Sequence, residues 1–184
     1  MPMRDSFHDD LDGIGVSLVE MGHLVNKAME RATTALLTAD LKVAEEIISE
    51  DDAIDEMQHD IEARAINLMA RQQPVAGDLR TLVTSLRMSA DLERMGDLAH
   101  HVAKLTRMRY PSAAVPPELV LTLQEMGNVT ARITKKAIGV IESRDLEAAL
   151  QLEKDDDEMD ILHRRLLRFY LMTPGHTELN LQLI

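Results

Sequence analysis

The sequence contains no cysteine and no tryptophan, and it has only two phenylalanines and two tyrosines. Without cysteine, disulfides, thiolate zinc sites and a cysteine nucleophile are all excluded, and a reducing cytoplasm is the natural compartment. The scarcity of aromatic rings removes the platforms on which single-stranded nucleic acid bases stack. We therefore expect a cytoplasmic protein with an aliphatic core, adaptable because the chain carries 12 methionines.

Positive charge is scarce as well. The chain has 20 Lys and Arg against 32 Asp and Glu, a formal net charge of −12. Nucleic acid attracts basic surfaces, so it is not expected as a partner, whereas an acidic surface suits cations or the basic patches of another protein. No apolar run approaches the about 18 residues of a membrane span, and the N-terminus lacks the apolar segment of a secretory signal, so no membrane insertion is expected.

Apolar residues recur at three- and four-residue spacing along most of the chain, while the alternation typical of strands is missing, which predicts an all-α fold. A second helix is predicted over Leu41–Gln72, capped by side chains of residues 38–40, and a third begins after Pro74 and reaches Arg109. Two further helices follow, the last capped by residues 143–145. The apolar positions of the first helix are Phe7, Leu11, Ile14, Leu18, Met21, Val25, Ala28, Ala32 and Ala35.

An internal repeat with an offset of 105 residues organises these helices. It aligns "LVEMG" (Leu18–Gly22) with "LQEMG" (Leu123–Gly127) and "DDAID" (Asp51–Asp55) with "DDEMD" (Asp156–Asp160), with 11 identities in 40 gapless positions. Such a repeat predicts two similar units, each a three-helix bundle.

The domain organisation follows from this repeat. We predict a first three-helix bundle over residues 1–109, a proline-rich linker over 110–118, and a second bundle over 119–184 that lacks its last helix. Two apolar stripes of the second bundle would then have no third partner. An exposed apolar surface of this kind favours pairing with another chain.

Pairs of acids interrupt the apolar stripes. Residues four apart share a helix face, so Asp51 pairs with Asp55 and Glu93 pairs with Asp97. The latter two are predicted to lie within the seam of the third helix, among Leu79, Leu82, Leu86 and Ala90. The second unit repeats the first pair as Asp156 and Asp160.

Buried carboxylates repel one another and pay a desolvation cost of several kcal/mol, so something should neutralise them. A cation would do so, and so would salt bridges from Arg87, Arg94 or Lys104. Carboxylate ligands favour hard cations such as Mg, Mn, Ca or Fe, although zinc stays possible. His100 or His101 could add a nitrogen ligand, and His100 is the better placed on the seam.

With these features in hand, the sequence closely resembles the PhoU family. The residues that carry the resemblance are "EDDAID" (50–55), "RQQPVAGDLR" (71–80), "DLERMGDLAHHVAK" (91–104) and "KDDDEMD" (154–160). The resemblance implies two three-helix bundles that each hold a multinuclear metal cluster of iron, manganese, magnesium or zinc. The first cluster would use Asp51, Asp55, Glu93 and Asp97, and the second Asp156 and Asp160. The family's second "ERxGD" motif is absent from this sequence, which puts a complete second cluster in doubt.

The resemblance also implies a function. Members of the family are cytoplasmic regulators rather than enzymes, and they link a phosphate ABC transporter, through its ATPase subunit, to a sensor histidine kinase. They suppress the phosphate-starvation response when phosphate is plentiful, and a homodimer is expected. Two other readings stay open, namely a ferritin-like di-iron carboxylate bundle, suggested by the three-residue spacing of Asp97 and His100, and a metal-free helical scaffold.

Overall fold

Helices make up most of the described chain. The computed structural model describes residues 2–72 and 74–172. The helices are α1 (Pro2–Thr38), α2 (Leu41–Glu50), α3 (Asp52–Gln72), α4 (Ala76–Arg109), α5 (Val120–Ser143) and α6 (Leu146–Met172), with one 3-10 turn at Pro117–Leu119. No strand occurs in these residues, so the all-α prediction is confirmed.

The predicted capping residues lie where helices begin. The carboxylate of Asp40 accepts a hydrogen bond from the backbone N–H of Val43 at 3.1 Å, at the start of α2. Asp145 accepts from the N–H groups of Glu147 and Ala148 at 2.8 and 3.2 Å, at the start of α6. These bonds satisfy amides that have no partner within the helix, which confirms both predicted caps.

The repeat is visible as a pair of matching helix turns and contacts. Each capping aspartate is preceded by a residue in the left-handed region, Ala39 with φ 53° and Arg144 with φ 56°. A Cβ atom placed on Gly22 of α1 would lie 2.8 Å from Ile138 of α5, and one on Gly127 of α5 would lie 2.5 Å from Thr33 of α1. Each member of one contact lies 105 residues from its counterpart in the other.

One predicted helix is in fact two. The expected continuous helix over Leu41–Gln72 is divided at Asp51, which is the C-terminal cap of α2 and directly precedes α3. At this point the backbone N–H of Ile54 bonds to the carbonyl of Asp51 at 3.1 Å, which is a tighter three-residue turn. The prediction was wrong here because the apolar spacing continues across the break.

The buried face of α4 differs from the predicted seam. Leu82 is buried as expected, but Leu79 is 42% exposed and Ala90 is exposed. The buried stripe is composed mainly of small residues, so counting leucines misplaces it. Its members are Leu82, Ser85, Ser89, Leu92, Gly96, Ala99, Ala103 and Thr106. Glu93 and Asp97 therefore lie at the flank of this stripe, half-buried, rather than at its centre.

The first core lies between α1, α3 and α4, where Ile14, Met21, Ile61 and Leu82 are almost fully buried. A second cluster of small residues packs α2 against α1 and α4, with Ala44 and Ile47 at its centre. Helix α1 also packs along α5. The close approach of α1, α2, α3 and α4 is what positions the acid pairs.

The chain after α4 packs α5 and α6 against the end of α1. Ala114 and Val115 of the predicted linker are buried with Leu36 of α1 and Leu119. An apolar groove of about 370 Å³ is open beside them, lined in part by Leu123 and residues near the end of α6. The division of the chain into 1–109, 110–118 and 119–184 stays a prediction.

Candidate metal site

Asp51 stands at the break between α2 and α3, and a cross-helix ion pair fixes the residues before it. The guanidinium of Arg31 on α1 donates to Glu46 at 2.8 Å and also to Glu50. Both acceptors lie on the last turns of α2. Because Arg31 is mostly buried, its contact with these two carboxylates fixes the position of the last turn of α2 against α1. This also fixes the position of Asp51, which directly follows that turn.

The approach of α3 to α4 depends on Gly96. A Cβ atom at this position would lie 2.9 Å from Cδ1 of Ile54, which is itself buried. A methyl group here would therefore force the Ile54 side chain to shift, so glycine favours the close approach of the two helices. Because Gly96 lies between Glu93 and Asp97 in sequence, and Ile54 directly precedes Asp55, the contact brings both predicted acid pairs to the same place.

The tightest group is formed by Asp51, Asp97 and His100. One ligand atom from each of these three residues lies within 4.8 Å of the others. Nδ1 of His100 is paired with Oδ2 of Asp51, and the two side chains are 15% and 18% exposed. Among the residues that the structure describes, this is the one group of three or more acids and histidines close enough to share a cation.

Electrostatics bring the other two acids into the same group. Burial raises the pKa of Glu93, and the carboxylates of Asp97, Asp55 and Asp51 raise it further. Burial likewise raises the pKa of Asp51; His100 opposes this effect, while Asp55 and Asp97 add to it. The neighbouring carboxylates of the predicted first cluster thus disfavour the charged forms of Glu93 and Asp51.

The structure does not provide salt bridges to these acids from the expected bases. Within residues 2–72 and 74–172, neither Arg87 nor Arg94 nor Lys104 forms an ion pair with any of the four carboxylates. Lys104 only lowers the pKa of Asp51, as the weakest of the effects on it. A group of carboxylates without a lysine or arginine ion pair among the described residues is what a carboxylate site for a cation requires.

A second feature also fits a metal. Nε2 of His100 is buried, and it has no hydrogen-bond partner in the described part of the protein. Such an orphaned nitrogen beside several carboxylates is a donor set that accommodates a divalent cation. A cleft of about 210 Å³ between α1, α2, α3 and α4 reaches Asp51, and Gly96, Lys27 and Arg31 are among its other lining residues.

The structure places Asp156 and Asp160 apart from this group. Both are exposed on α6, and Asp160 lies 3.9 Å from Arg164 one turn later. The residue before Asp156 repeats the arrangement beside Asp51, because Lys136 of α5 pairs with Asp155 at 2.6 Å as Arg31 pairs with Glu50. A cluster at these positions would need ligands from outside the described residues, and it stays a prediction.

Two residues that build the site carry little signal in the sequence. Arg31 is one of 20 basic residues, and nothing in its spacing marks it as the partner of Glu46 and Glu50. Gly96 in "ERMGD" is a mid-helix glycine, which usually weakens a helix by about 1 kcal/mol relative to alanine. A glycine within a helix, despite this cost, indicates that another part of the protein packs closely against that position.

Comparisons with known proteins agree with this geometry. The PhoU domain family matches residues 18–106 and 123–183. The phosphate-specific transport system accessory protein PhoU homolog 2 of Mycobacterium tuberculosis is 46% identical over 164 residues, which are 89% of this chain and 77% of that protein.

Solved structures give the same result. The phosphate transport system regulatory protein PhoU from Streptococcus pneumoniae superposes with a TM-score of 0.80 at 26% identity, over 94% of this chain and 79% of that one. PhoU from Pseudomonas aeruginosa gives 0.80 at 27% identity, over 96% and 86%. The relatives from Mycobacterium tuberculosis and Streptococcus pneumoniae are accessory or regulatory proteins by name, which confirms the prediction that the chain is not an enzyme.

Proposed function

Because the chain belongs to the PhoU family, we propose that it is a metal-binding regulator of phosphate uptake that acts in the cytoplasm as an accessory protein of a phosphate transport system. The family assignment removes the ferritin-like enzyme from the alternatives. No helix within the described residues has the length and apolarity needed to cross a membrane. The observation that supports the metal-binding part is the convergence of four carboxylates that form no ion pair with a lysine or arginine within the described residues.

In this proposal four carboxylates hold the metal. Asp51 comes from the break between α2 and α3, Asp55 from α3, and Glu93 and Asp97 from α4. A cation would neutralise Asp51 and Glu93, whose pKa values are raised by burial and by the neighbouring carboxylates. It also joins three helices at one point, so metal binding stabilises the packing of α2, α3 and α4. Arg31 and Gly96 act as positioning residues, because they determine where the ligands meet.

Metal analysis of the purified chain tests this. Wild-type protein dialysed against trace-metal-free buffer and then given Mn, Fe, Mg or Zn should bind at least one ion per chain, and Asp51→Ala or Asp97→Ala should abolish binding. Asp52→Ala is the matched control for the first substitution, since Asp52 adjoins Asp51 but is exposed. If the control loses as much metal as the two site variants, or wild type binds none, the carboxylate site is refuted.

The adaptor role is the finer part of the proposal. A set of long helices with an acidic surface suits a protein that contacts others. The proposed partners are the ATPase subunit of a phosphate ABC transporter and a sensor histidine kinase. Regulation follows if the metal-dependent packing of the first bundle changes which partner is bound.

Purified partners allow a direct test. Biolayer interferometry should detect binding of the chain to the transporter ATPase and to the cytoplasmic part of the kinase, and Asp97→Ala should change at least one of the two dissociation constants. Deletion of the gene should raise a phosphate-starvation reporter in phosphate-rich medium. An unchanged reporter together with absent binding would contradict the adaptor role.

Pairing with a second copy is proposed through the open side of α5 and α6. Leu121, Leu150, Ile161 and Leu171 are each at least 60% exposed there. Apolar surface of this kind commonly marks an interaction site. Sedimentation velocity should show a concentration-dependent dimer that Leu150→Lys weakens, whereas Val16→Lys, at a similarly exposed apolar residue of α1, should leave it intact. A monomer at all concentrations would refute the dimer.

A further inference from the structure

The apolar groove beside α6 is a feature that the metal site does not use. Its volume of about 370 Å³ lies between the end of α4, residues 114–116 and the end of α6. Leu105 lines it from α4, and Leu167 lines it from α6. Of the four leucines and isoleucines proposed above for pairing with a second copy, only Leu171 also lines the groove. The groove is therefore largely separate from that surface.

The internal repeat indicates what kind of structure fits this groove. In the first unit, Leu18, Ile61 and Leu82 are buried in one core where α4 packs against α1 and α3. The repeat counterparts of Leu18 and Ile61 are Leu123 and Leu166, which are only partly buried and line the groove. A helix covers these positions in the first unit, so the groove offers the same kind of apolar surface to a further helix.

The charge of the segments around the groove is opposite to that of the rest of the chain. Residues 100–116 and 161–172, which supply most of the lining, contain six Lys and Arg and no Asp or Glu, whereas the other residues contain 14 against 32. Arg164 and Arg165 form ion pairs with acids of α6 and α5 at 3.9 and 3.7 Å. Arg109, one turn after the α4 leucine that lines the groove, forms no ion pair among the described residues. These charges favour an acidic binding partner.

We infer that the groove is the docking site for an amphipathic helix of a partner protein, with leucine-like side chains on the face that enters the groove and Asp or Glu on the flanks. A helix that lies in a hydrophobic groove is a common mode of peptide recognition, in which side chains at three- and four-residue spacing enter the pocket. Acidic flanks meet the arginines of α4 and α6, whereas basic flanks are repelled by them. The inference does not depend on the metal site, so metal titrations and peptide binding can fail separately.

Two labelled helical peptides with the same leucine stripe, one with glutamate and one with lysine on its flanks, test this by fluorescence anisotropy. The wild-type chain should bind the glutamate peptide at least about tenfold more tightly than the lysine peptide. Leu167→Glu should weaken binding of the glutamate peptide by at least about tenfold, because it places a carboxylate in the apolar groove. Leu146→Glu is the matched control, since Leu146 is 81% exposed on the same helix, does not line the groove and should bind as wild type does.

A second variant leaves the apolar lining unchanged and so does not depend on how Leu167→Glu folds. Arg109→Gln should weaken binding of the glutamate peptide by about threefold, the size of effect expected from one exposed charge. Equal affinity of wild type for both peptides, or equal effects of Leu167→Glu and Leu146→Glu, would overturn the partner helix.

Two other occupants of the groove are outcomes of the same set of variants. Phosphatidylglycerol vesicles that bind wild type but not Leu167→Glu, without any peptide binding, would assign the groove to a lipid surface. A dimer that Leu167→Glu dissociates in sedimentation velocity, again without peptide binding, would assign it to a second copy of the chain. Either result overturns the inference.

Discussion

Replacing Asp97 with asparagine should stabilise the metal-free protein. The oxygen atoms of Asp51 and Asp97 lie within 4.8 Å. Two unit charges at this separation repel by about 3.5 kcal/mol at an effective dielectric constant of about 20 and by about 0.9 kcal/mol in bulk water. Since the side chain of Asp51 is 18% exposed, we expect the variant to gain about 1 to 3 kcal/mol in the free energy of unfolding.

Added metal should stabilise wild type more than it stabilises the variant. A metal at 100 times its dissociation constant stabilises wild type by about 2.7 kcal/mol, whereas a variant with 100-fold weaker affinity gains only about 0.4 kcal/mol. Asparagine is a neutral and weaker ligand than aspartate. Asp97→Asn should therefore start from a higher melting temperature than wild type and rise far less when metal is added.

Thermal unfolding in chelator and in saturating Mn²⁺ measures both effects. For a chain of this size, each kcal/mol moves the melting temperature by about 2 to 4 °C. Asp91→Asn is the control, because Asp91 lies on the same helix but is exposed and should change stability by less than about 0.5 kcal/mol. A metal-free Asp97→Asn protein that melts below wild type, or one that gains as much from Mn²⁺, would refute the electrostatic account of the site.

Three further substitutions test local features of the fold. Ala39→Gly should raise the free energy of unfolding by about 1 kcal/mol in urea titrations, because alanine has a steric cost at φ 53° that glycine does not. A lower stability of the variant would contradict this. Gly96→Ala should lower the free energy of unfolding by about 1 to 3 kcal/mol, and should lower metal affinity in calorimetry, because the added methyl group overlaps the isoleucine of α3. Gly15→Ala has open space around it and should stabilise the protein. Similar results for both variants would be evidence against the close approach of α3 and α4. Lys136 lowers the pKa of Asp155, so their pair stabilises the protein above the unfolded pKa of about 3.9, and this stability is lost as the pH falls through the lower folded pKa. The difference in the free energy of unfolding between wild type and Lys136→Met should therefore shrink on acidification from about pH 6 to pH 2. A constant difference would argue against the pair.

Much of this protein could be predicted from local patterns. The helical class and the caps at Asp40 and Asp145 depend on residues a few positions apart, and the repeat is found by comparing two stretches of the sequence directly. The spacing of apolar side chains and the capping of free amides are local effects, so the sequence alone shows them. The identities of the four acids of the first group follow from the same spacing, since residues four apart share a helix face.

Packing between helices decided what the spacing could not. The break at Asp51, the small-residue face of α4 and the approach at Gly96 arise where side chains of different helices fit together. Leucine positions placed Glu93 in the middle of a seam, whereas close contact through serine, glycine and alanine rotates that seam and leaves the acid at its flank.

The histidine shows the division most clearly. Spacing along the helix placed His100 on the same side as Asp97, but its partner Asp51 lies 49 residues away in sequence and on another element. The sequence by itself determined the helices, the repeat and the acids that could bind a cation. Only the tertiary structure decided which of these groups meet, because contacts between distant residues depend on how closely whole helices pack.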